Sequence, residues 1–366
     1  MKNRLQSLDI FRGITIAFMI IVNTPGDWSI AYNMLEHAAW HGFTPTDLVF
    51  PSFVFITGVS SWFSYKKYNH TLSSDLMMKI WKRTLIIFLL GVGLYAFPFY
   101  NRPIGTWRIL GVLQRIALCY GIGSTLCLLL NKKQIIALGA GLLLVYWAIM
   151  LSFGDLTMGG NAGLKLDLWL FGEGHLYHGE GIAFDPEGLL STLPALVTFL
   201  MGYITGQFIG TTSDKTLIVK QLAIWGVMLV VVGLLWNFAF PINKKLWTSS
   251  YVLFVGGLSM LIFDLCYYVV DVKGHQQWGK FFTVFGTNAI LAYMVSELLI
   301  IIISNFIHVT DASGKVLNGH EVTFKYFFAS WAGATDFASL LFALSFMLVC
   351  WGITGLFYRK DLFLKV

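Results

Sequence analysis

The chain has 366 residues, of which 57% are hydrophobic and only 12% charged, and its mean hydropathy is +0.70. A soluble domain carries roughly 25% charged residues, so a single soluble core is excluded and an all-α, polytopic membrane protein is expected. The formal charge of +6 does not call for a nucleic-acid partner, because the basic residues sit in short segments between apolar runs, as orientation signals do.

One crossing takes ~20 apolar residues, and ten candidate spans follow: 8–25, 46–65, 84–100, 109–130, 135–153, 190–210, 220–240, 248–270, 281–307 and 335–357. The first run is interrupted by Arg12 and leads into VNTPG without a small-residue cleavage site, so it reads as a span and not as a signal peptide. Asp9 and Arg12, one helical turn apart, read as an interfacial ion pair. Asn23 closes this span before Thr-Pro-Gly, either as a terminal turn residue or as a hydrogen-bond donor to an outward cavity.

The next stretch, HAAWHGFTPTDLVFPSF (37–53), turns abruptly apolar. Thr44, Pro45 and Asp47 have capping-box spacing with proline at the first helical position. His37 and Trp40 precede this cap, with His41 beside them. A histidine acts as base, acid or nucleophile near neutral pH, and a carboxylate such as Asp47 fixes its tautomer and raises its basicity. Spacing alone leaves open whether Asp47 caps a helix or supports chemistry.

Further along, Arg115 in GVLQRIALCY is an ionisable group inside a span, which costs ~2.5–3.5 kcal/mol on insertion scales and calls for a partner or a task. It reads either as a structural arginine paired with Asp264 or Glu297, or as a forked clamp for a phosphate or carboxylate, with Gln114 beside it. HLYHGEG (His175, His178) lacks a third ligand at suitable spacing, so no metal site is expected. Asn237, Asn288 and Glu297 add polar atoms in later spans. The four cysteines lie in apolar runs without metal spacing and read as reduced packing residues.

An even span count puts both termini on one side. With that side cytoplasmic, 16 of the 25 lysines and arginines fall inside, Lys66, Lys67, Lys79, Lys82, Arg83, Lys132 and Lys133 among them. Seven fall outside, and Arg12 and Arg115 lie within spans. The positive-inside rule therefore favours N-in/C-in and places His37 on the outer face. Residues 1–366 then form a single transmembrane domain with outer loops 24–46, 154–190 and 308–334. Loops with such polar inventories are more often functional than connective.

Taken in order, SLDIFRG, IVNTPG, HAAWHGFTPTDLVFPSFVFITGVS, GVLQRIALCY, GEGHLYHGEGIAFDPEGLLSTLPA, NKKLWTSSY and FGTNAILAY resemble the heparan-alpha-glucosaminide N-acetyltransferase family from about residue 4 to residue 300. The resemblance implies a membrane-embedded enzyme that passes acetyl groups from cytosolic acetyl-CoA to the amino group of a glucosamine-type sugar on the far side, as a homodimer. It implies His37 as the catalytic histidine and Asn23 at the reaction centre. The lysosomal member carries an extra N-terminal lumenal portion and one more span, whereas this chain starts at the shared core. That departure favours a bacterial inner-membrane protein with a periplasmic His37.

The donor's phosphates are then expected toward the cytoplasmic basic segments, with Arg83, Gln114 and Arg115 as contacts. Asn23 is expected to donate to the developing oxyanion, a role worth ~2.7–4 kcal/mol, and His37, supported by Asp47, to deprotonate the sugar ammonium or to carry the acetyl group itself. Trp40 and Trp247 offer faces for a sugar ring, with His175, Asp185, Glu187, Lys244 and Asn288 as polar contacts. Asp185 and Glu187 in FDPEG also have the spacing of a cap on the next span. A transporter of sugars or small anions, with Arg115 and Glu297 as pathway charges, is the alternative.

Overall fold

Apolar runs this long satisfy their backbone hydrogen bonds internally as helices, and the computed structural model, which describes residues 5–99, 102–311 and 313–364, is predominantly helical. The elements are α1 (Gln6–Asn23), α2 (Val49–Tyr65, entered through a 3-10 turn Pro45–Leu48), α3 (Ser74–Ala96), α4 (Val112–Leu129), α5 (Lys132–Phe153), α6 (Ala162–Phe171), α7 (Thr192–Thr211), α8 (Lys215–Trp236) and α9 (Ser249–Tyr267). Then come α10 (Lys280–Thr287), α11 (Ala289–Phe306), an antiparallel hairpin of β1 (His308–Thr310) and β2 (Val316–Asn318), α12 (Gly319–Phe324), α13 (Ser330–Ala332) and α14 (Asp336–Arg359). Lys2, Arg4 and Lys365, counted above as orientation charges, lie outside the described residues.

Nine helices among the described residues are long and apolar enough to cross a membrane. They match the expected spans except the third. There α3 has 23 residues, about 35 Å at 1.5 Å per residue, but its last eighteen still include Lys79, Lys82 and Arg83. The expected ninth span is also corrected. The run 281–307 is not one helix, because Asn288 leaves helical geometry (φ −133°, ψ 44°) and separates α10 from α11.

The helices pack as two compact units. In the first, residues 5–37, 44–49 and 274–364, α1 lies along α10, with α11 and α14 against them. Lipid offers no hydrophobic drive between helices, so close approach at small residues does the work. A Cβ on Gly286 would fall on the Asp9 carbonyl, and one on Gly13 on the Phe282 carbonyl. Arg12 bonds Asp9 Oδ1 at 3.2 Å, the expected ion pair, and also donates to the Gly286 carbonyl at 2.8 Å.

In the second unit, residues 38–43 and 50–273, α8 and α9 form the most extensive pair and α7 packs against α4, α5 and α9. The Phe55 carbonyl occupies the place a Cβ on Gly202 would take, which brings α2 and α7 close. The segment 154–190 is folded: α6 and the following turns bury Leu164, Leu176 and Phe184 with Tyr146, Met150, Phe240 and Leu246. Faces of α5 and α8 that carry Leu144, Leu151, Val227, Val231 and Leu235 stay uncovered, as lipid-facing surfaces do.

Candidate functional site

His37 and Asp47 meet in the first unit. The Thr44 backbone N–H donates to Asp47 Oδ2 at 3.0 Å and the Thr44 side chain accepts from the Asp47 N–H, a capping box that starts the 3-10 turn into α2. The other oxygen, Oδ1, lies 2.7 Å from His37 Nδ1. Asp47 therefore caps the helix start and also contacts the His37 imidazole. Its side chain is 1% exposed while that of His37 is 38% exposed, so a buried carboxylate supports a reachable imidazole. With Nδ1–H donating to Asp47, Nε2 carries the lone pair.

The loop 24–44 that joins Asn23 to this pair is tied along its length. Asp27 Oδ1 accepts from the Ser29 N–H (2.8 Å) and hydroxyl (2.7 Å), and these bonds hold its carboxyl below the usual range. Thr46 Oγ1 donates to the Met34 carbonyl at 3.2 Å and Thr44 Oγ1 to the Glu36 carbonyl at 2.6 Å, directly ahead of His37. Asn23 is exposed at the last position of α1.

The second unit holds a polar cluster beside the segment 154–190. Arg108 forks onto Asp185 (Nε–Oδ2 2.9 Å, Nη2–Oδ1 2.7 Å) and reaches Glu187 Oε2 at 2.6 Å, with Tyr95 and Tyr177 rings 4.6 and 4.7 Å from its Cζ. Burial pulls the guanidinium pKa down, but Tyr95 and the two carboxylates outweigh it and hold it well above its usual value. Burial pushes Asp185 up against the pull of Arg108. Glu187 is held down, despite burial, by Arg108, Lys244 and Arg115. The two acids expected to meet a sugar are thus buried and bonded to Arg108, a residue that sequence reasoning missed. Its only signal was a basic residue just ahead of the fourth span.

Arg115 is 1% exposed. It donates through Nη2 to the Gly188 carbonyl (2.8 Å) and to the Ser191 hydroxyl, and its Cζ lies 5.0 Å from the Trp247 ring. The expected structural partners are thus replaced by the turn ahead of α7. Arg115 Nε and Nη1, both side-chain amide atoms of Gln114 and Trp247 Nε1 are buried without hydrogen-bond partners. Such groups cost ~1–3 kcal/mol each when left unsatisfied. Asp167 on α6 is buried nearby and accepts from the Leu189 N–H at 3.0 Å; burial pushes its carboxyl up to about 7.

The remaining expected residues divide. Trp40 donates Nε1 to the Leu156 carbonyl (2.8 Å) and packs edge-on to Phe184, half-buried. Lys244 is half-buried and its charge acts on Glu187. His175 is half-buried with Nδ1 on the Trp107 carbonyl at 2.7 Å. Arg83 lies over the Tyr120 ring with its Nε unpartnered. Two readings are corrected. Trp247 is 0% exposed, packed edge-on to Phe50 and Tyr251, and presents no free face to a sugar. Asn288 is consumed by the C-terminal tail, donating to the Leu362 carbonyl and accepting from the Leu364 N–H, each at 3.0 Å. His41 faces the Asn243 amide through Nδ1 at 3.3 Å, and burial lowers its pKa. No group of three or more His, Cys, Asp or Glu side chains among the described residues could hold a metal ion.

The family model described as heparan-alpha-glucosaminide N-acetyltransferase, catalytic, matches residues 4–234. Heparan-alpha-glucosaminide N-acetyltransferase of Mus musculus is 31% identical over 359 residues, covering 81% of this chain and 54% of its own length. The Homo sapiens protein of the same name is 30% identical over 356 residues, covering 81% and 53%. The chain therefore spans about half the length of these curated relatives. The matched region contains Asn23, the His37–Asp47 pair, Arg108, Arg115 and the Asp185–Glu187 pair, and the chain belongs to the heparan-alpha-glucosaminide N-acetyltransferase catalytic family.

Proposed function

We propose that the chain is a transmembrane N-acetyltransferase that takes acetyl groups from acetyl-CoA on the inner side and delivers them to the amino group of a glucosamine-type sugar on the outer side. The observation that carries this reading is the exposed His37 imidazole held at 2.7 Å by the buried Asp47 carboxylate. A sugar ammonium is no nucleophile until it loses a proton. His37 Nε2 takes that proton, and Asp47 stabilises the imidazolium that forms. The Asn23 amide donates to the oxygen that gains charge as the acyl carbon is attacked.

Acetyl-CoA supplies an acetyl group activated as a thioester. The unpartnered buried donors of Arg115, Gln114 and Trp247 suit its many acceptor oxygens, and Arg83 suits a phosphate. Asp185 and Glu187 act through Arg108 as a rigid wall. A bacterial inner membrane, N-in/C-in topology with α3 as a tenth crossing, and a homodimer complete the proposal. The topology rests on the distribution of lysine and arginine. Nothing favours transport, because Arg115, its principal pathway charge, is bonded to the turn ahead of α7.

Thiol release from acetyl-CoA by purified protein across a panel of amino sugars tests the reading. Release should depend on an amine acceptor, and His37→Ala should lower the rate about 10²–10⁴-fold. Parental rates in His37→Ala would remove the histidine from the mechanism, and acetyl-CoA-independent sugar uptake by vesicles would replace the enzyme with a carrier.

A further inference from the structure

The turn that follows Asn23 is fastened by residues from the last third of the chain, beyond the region matched by the family model. Ser339, in the first turn of α14, accepts through its hydroxyl from the Gly26 N–H at 2.9 Å and the Asp27 N–H at 3.2 Å; its carbonyl accepts from the Gly26 N–H at 3.3 Å. His320 on α12 lies with Nε2 2.9 Å from the Pro25 carbonyl, which makes Nε2 the donor. A Cβ on Gly26 would fall on the Phe324 ring, so the same short helix also closes the turn sterically. Thr24, Pro25, Gly26, Ser339 and His320 are all buried, while Asn23 one residue earlier is exposed.

A chain leaving a helix usually satisfies its turn with local partners or water. Here two buried side chains about three hundred residues away do so, and they fix the backbone two to four residues beyond the exposed Asn23. Both side chains spend their hydrogen bonds on the backbone of the turn, so they hold the turn and are not placed to touch substrate.

We propose that Ser339 and His320 are positioning residues, which hold the Pro25–Asp27 backbone so that the Asn23 amide points at the developing oxyanion. The inference rests on the reading of Asn23 as that donor. Its energetic logic is pre-organisation: an oxyanion donor contributes only if its direction is set before the reaction, and small misplacements far from the chemistry lower kcat steeply.

The test is a double-mutant cycle on the purified full chain, reading kcat and KM in the thiol-release assay together with the melting temperature. Ser339→Ala should lower kcat about fivefold, the loss of one ordinary hydrogen bond, with KM within about twofold of the parent. In an Asn23→Ala background the same substitution should change kcat less than about twofold, because the group it positions is gone. His320→Gln, whose amide can still donate to the Pro25 carbonyl, should retain activity that His320→Leu loses, and Ser339→Thr should recover what Ser339→Ala loses. Parental kcat in Ser339→Ala overturns the inference. So does an equal loss in both backgrounds, which would mark Ser339 as merely structural. If Asn23→Ala itself works at the parental rate, the Asn23 reading falls first, a result distinct from either.

Discussion

Each oxygen of Asp47 has one task, and that division is what sequence spacing could not reveal. The capping box was legible because Thr44 and Asp47 are local, whereas the His37 contact depends on a ten-residue loop folding back. An amide cannot serve both sides, since one of its two heads donates. Asp47→Asn should therefore either lose the cap, at ~1 kcal/mol, or turn His37 to the wrong tautomer. The expected result is a kcat at least about tenfold lower with a melting temperature only a few degrees down. Parental kcat would show that the carboxylate only caps. Asp167 poses the reverse problem, a buried acid with its carboxyl pushed up to about 7 from 3.8. Between those values the folded chain binds more protons than the unfolded one, so stability falls as pH rises from about 4 to about 7 and levels off above. Asp167→Asn keeps an acceptor for the Leu189 N–H and removes the charge. Its melting temperature at pH 8 should exceed the parent's, and the gap should close by pH 5; a constant gap would argue against titration at this site.

At the scale of elements, hydropathy located the spans because a bilayer demands long apolar helices whatever the tertiary contacts. It could not see the break at Asn288, which is set by a contact with Leu362 and Leu364 more than seventy residues away. Nor could it see that Trp247 is buried under Arg115 and Phe50, or that Arg108 gathers Asp185 and Glu187. Such contacts leave no local periodicity. Close helix approach leaves a trace only as glycine, and one contrast tests it. Gly286→Ala would push a methyl onto the Asp9 carbonyl where α1 meets α10, and should cost about 1–3 kcal/mol through overpacking. Gly93→Ala on α3 meets nothing within 4 Å, so it should be neutral or stabilising by up to about 1 kcal/mol. Thermal unfolding in detergent separates the two; equal shifts would remove close packing as the reason for Gly286.

For the whole molecule, sidedness decides whether the chemistry above is transmembrane at all, and it turns on α3. If α3 crosses, residue 67 after α2 and residue 173 after α6 lie on opposite sides of the membrane. If α3 stays on the inner side, every later crossing is inverted and the two positions share one side. The lysines and arginine of its first half favour crossing with a basic inner end, where long side chains reach back to the headgroups. The chain suits a cysteine test, because Cys119, Cys127, Cys266 and Cys350 are all buried while Lys67 and Glu173 are exposed. In intact spheroplasts of an expressing bacterial host, a membrane-impermeant maleimide should label Glu173→Cys directly. It should label Lys67→Cys only after permeabilisation, and leave the parent chain unlabelled throughout. Labelling of both positions only after permeabilisation would remove α3 as a crossing and put the segment 154–190 inside. The reverse pattern would invert the whole chain and place His37 facing the cytosol, where acetyl transfer would need no membrane crossing.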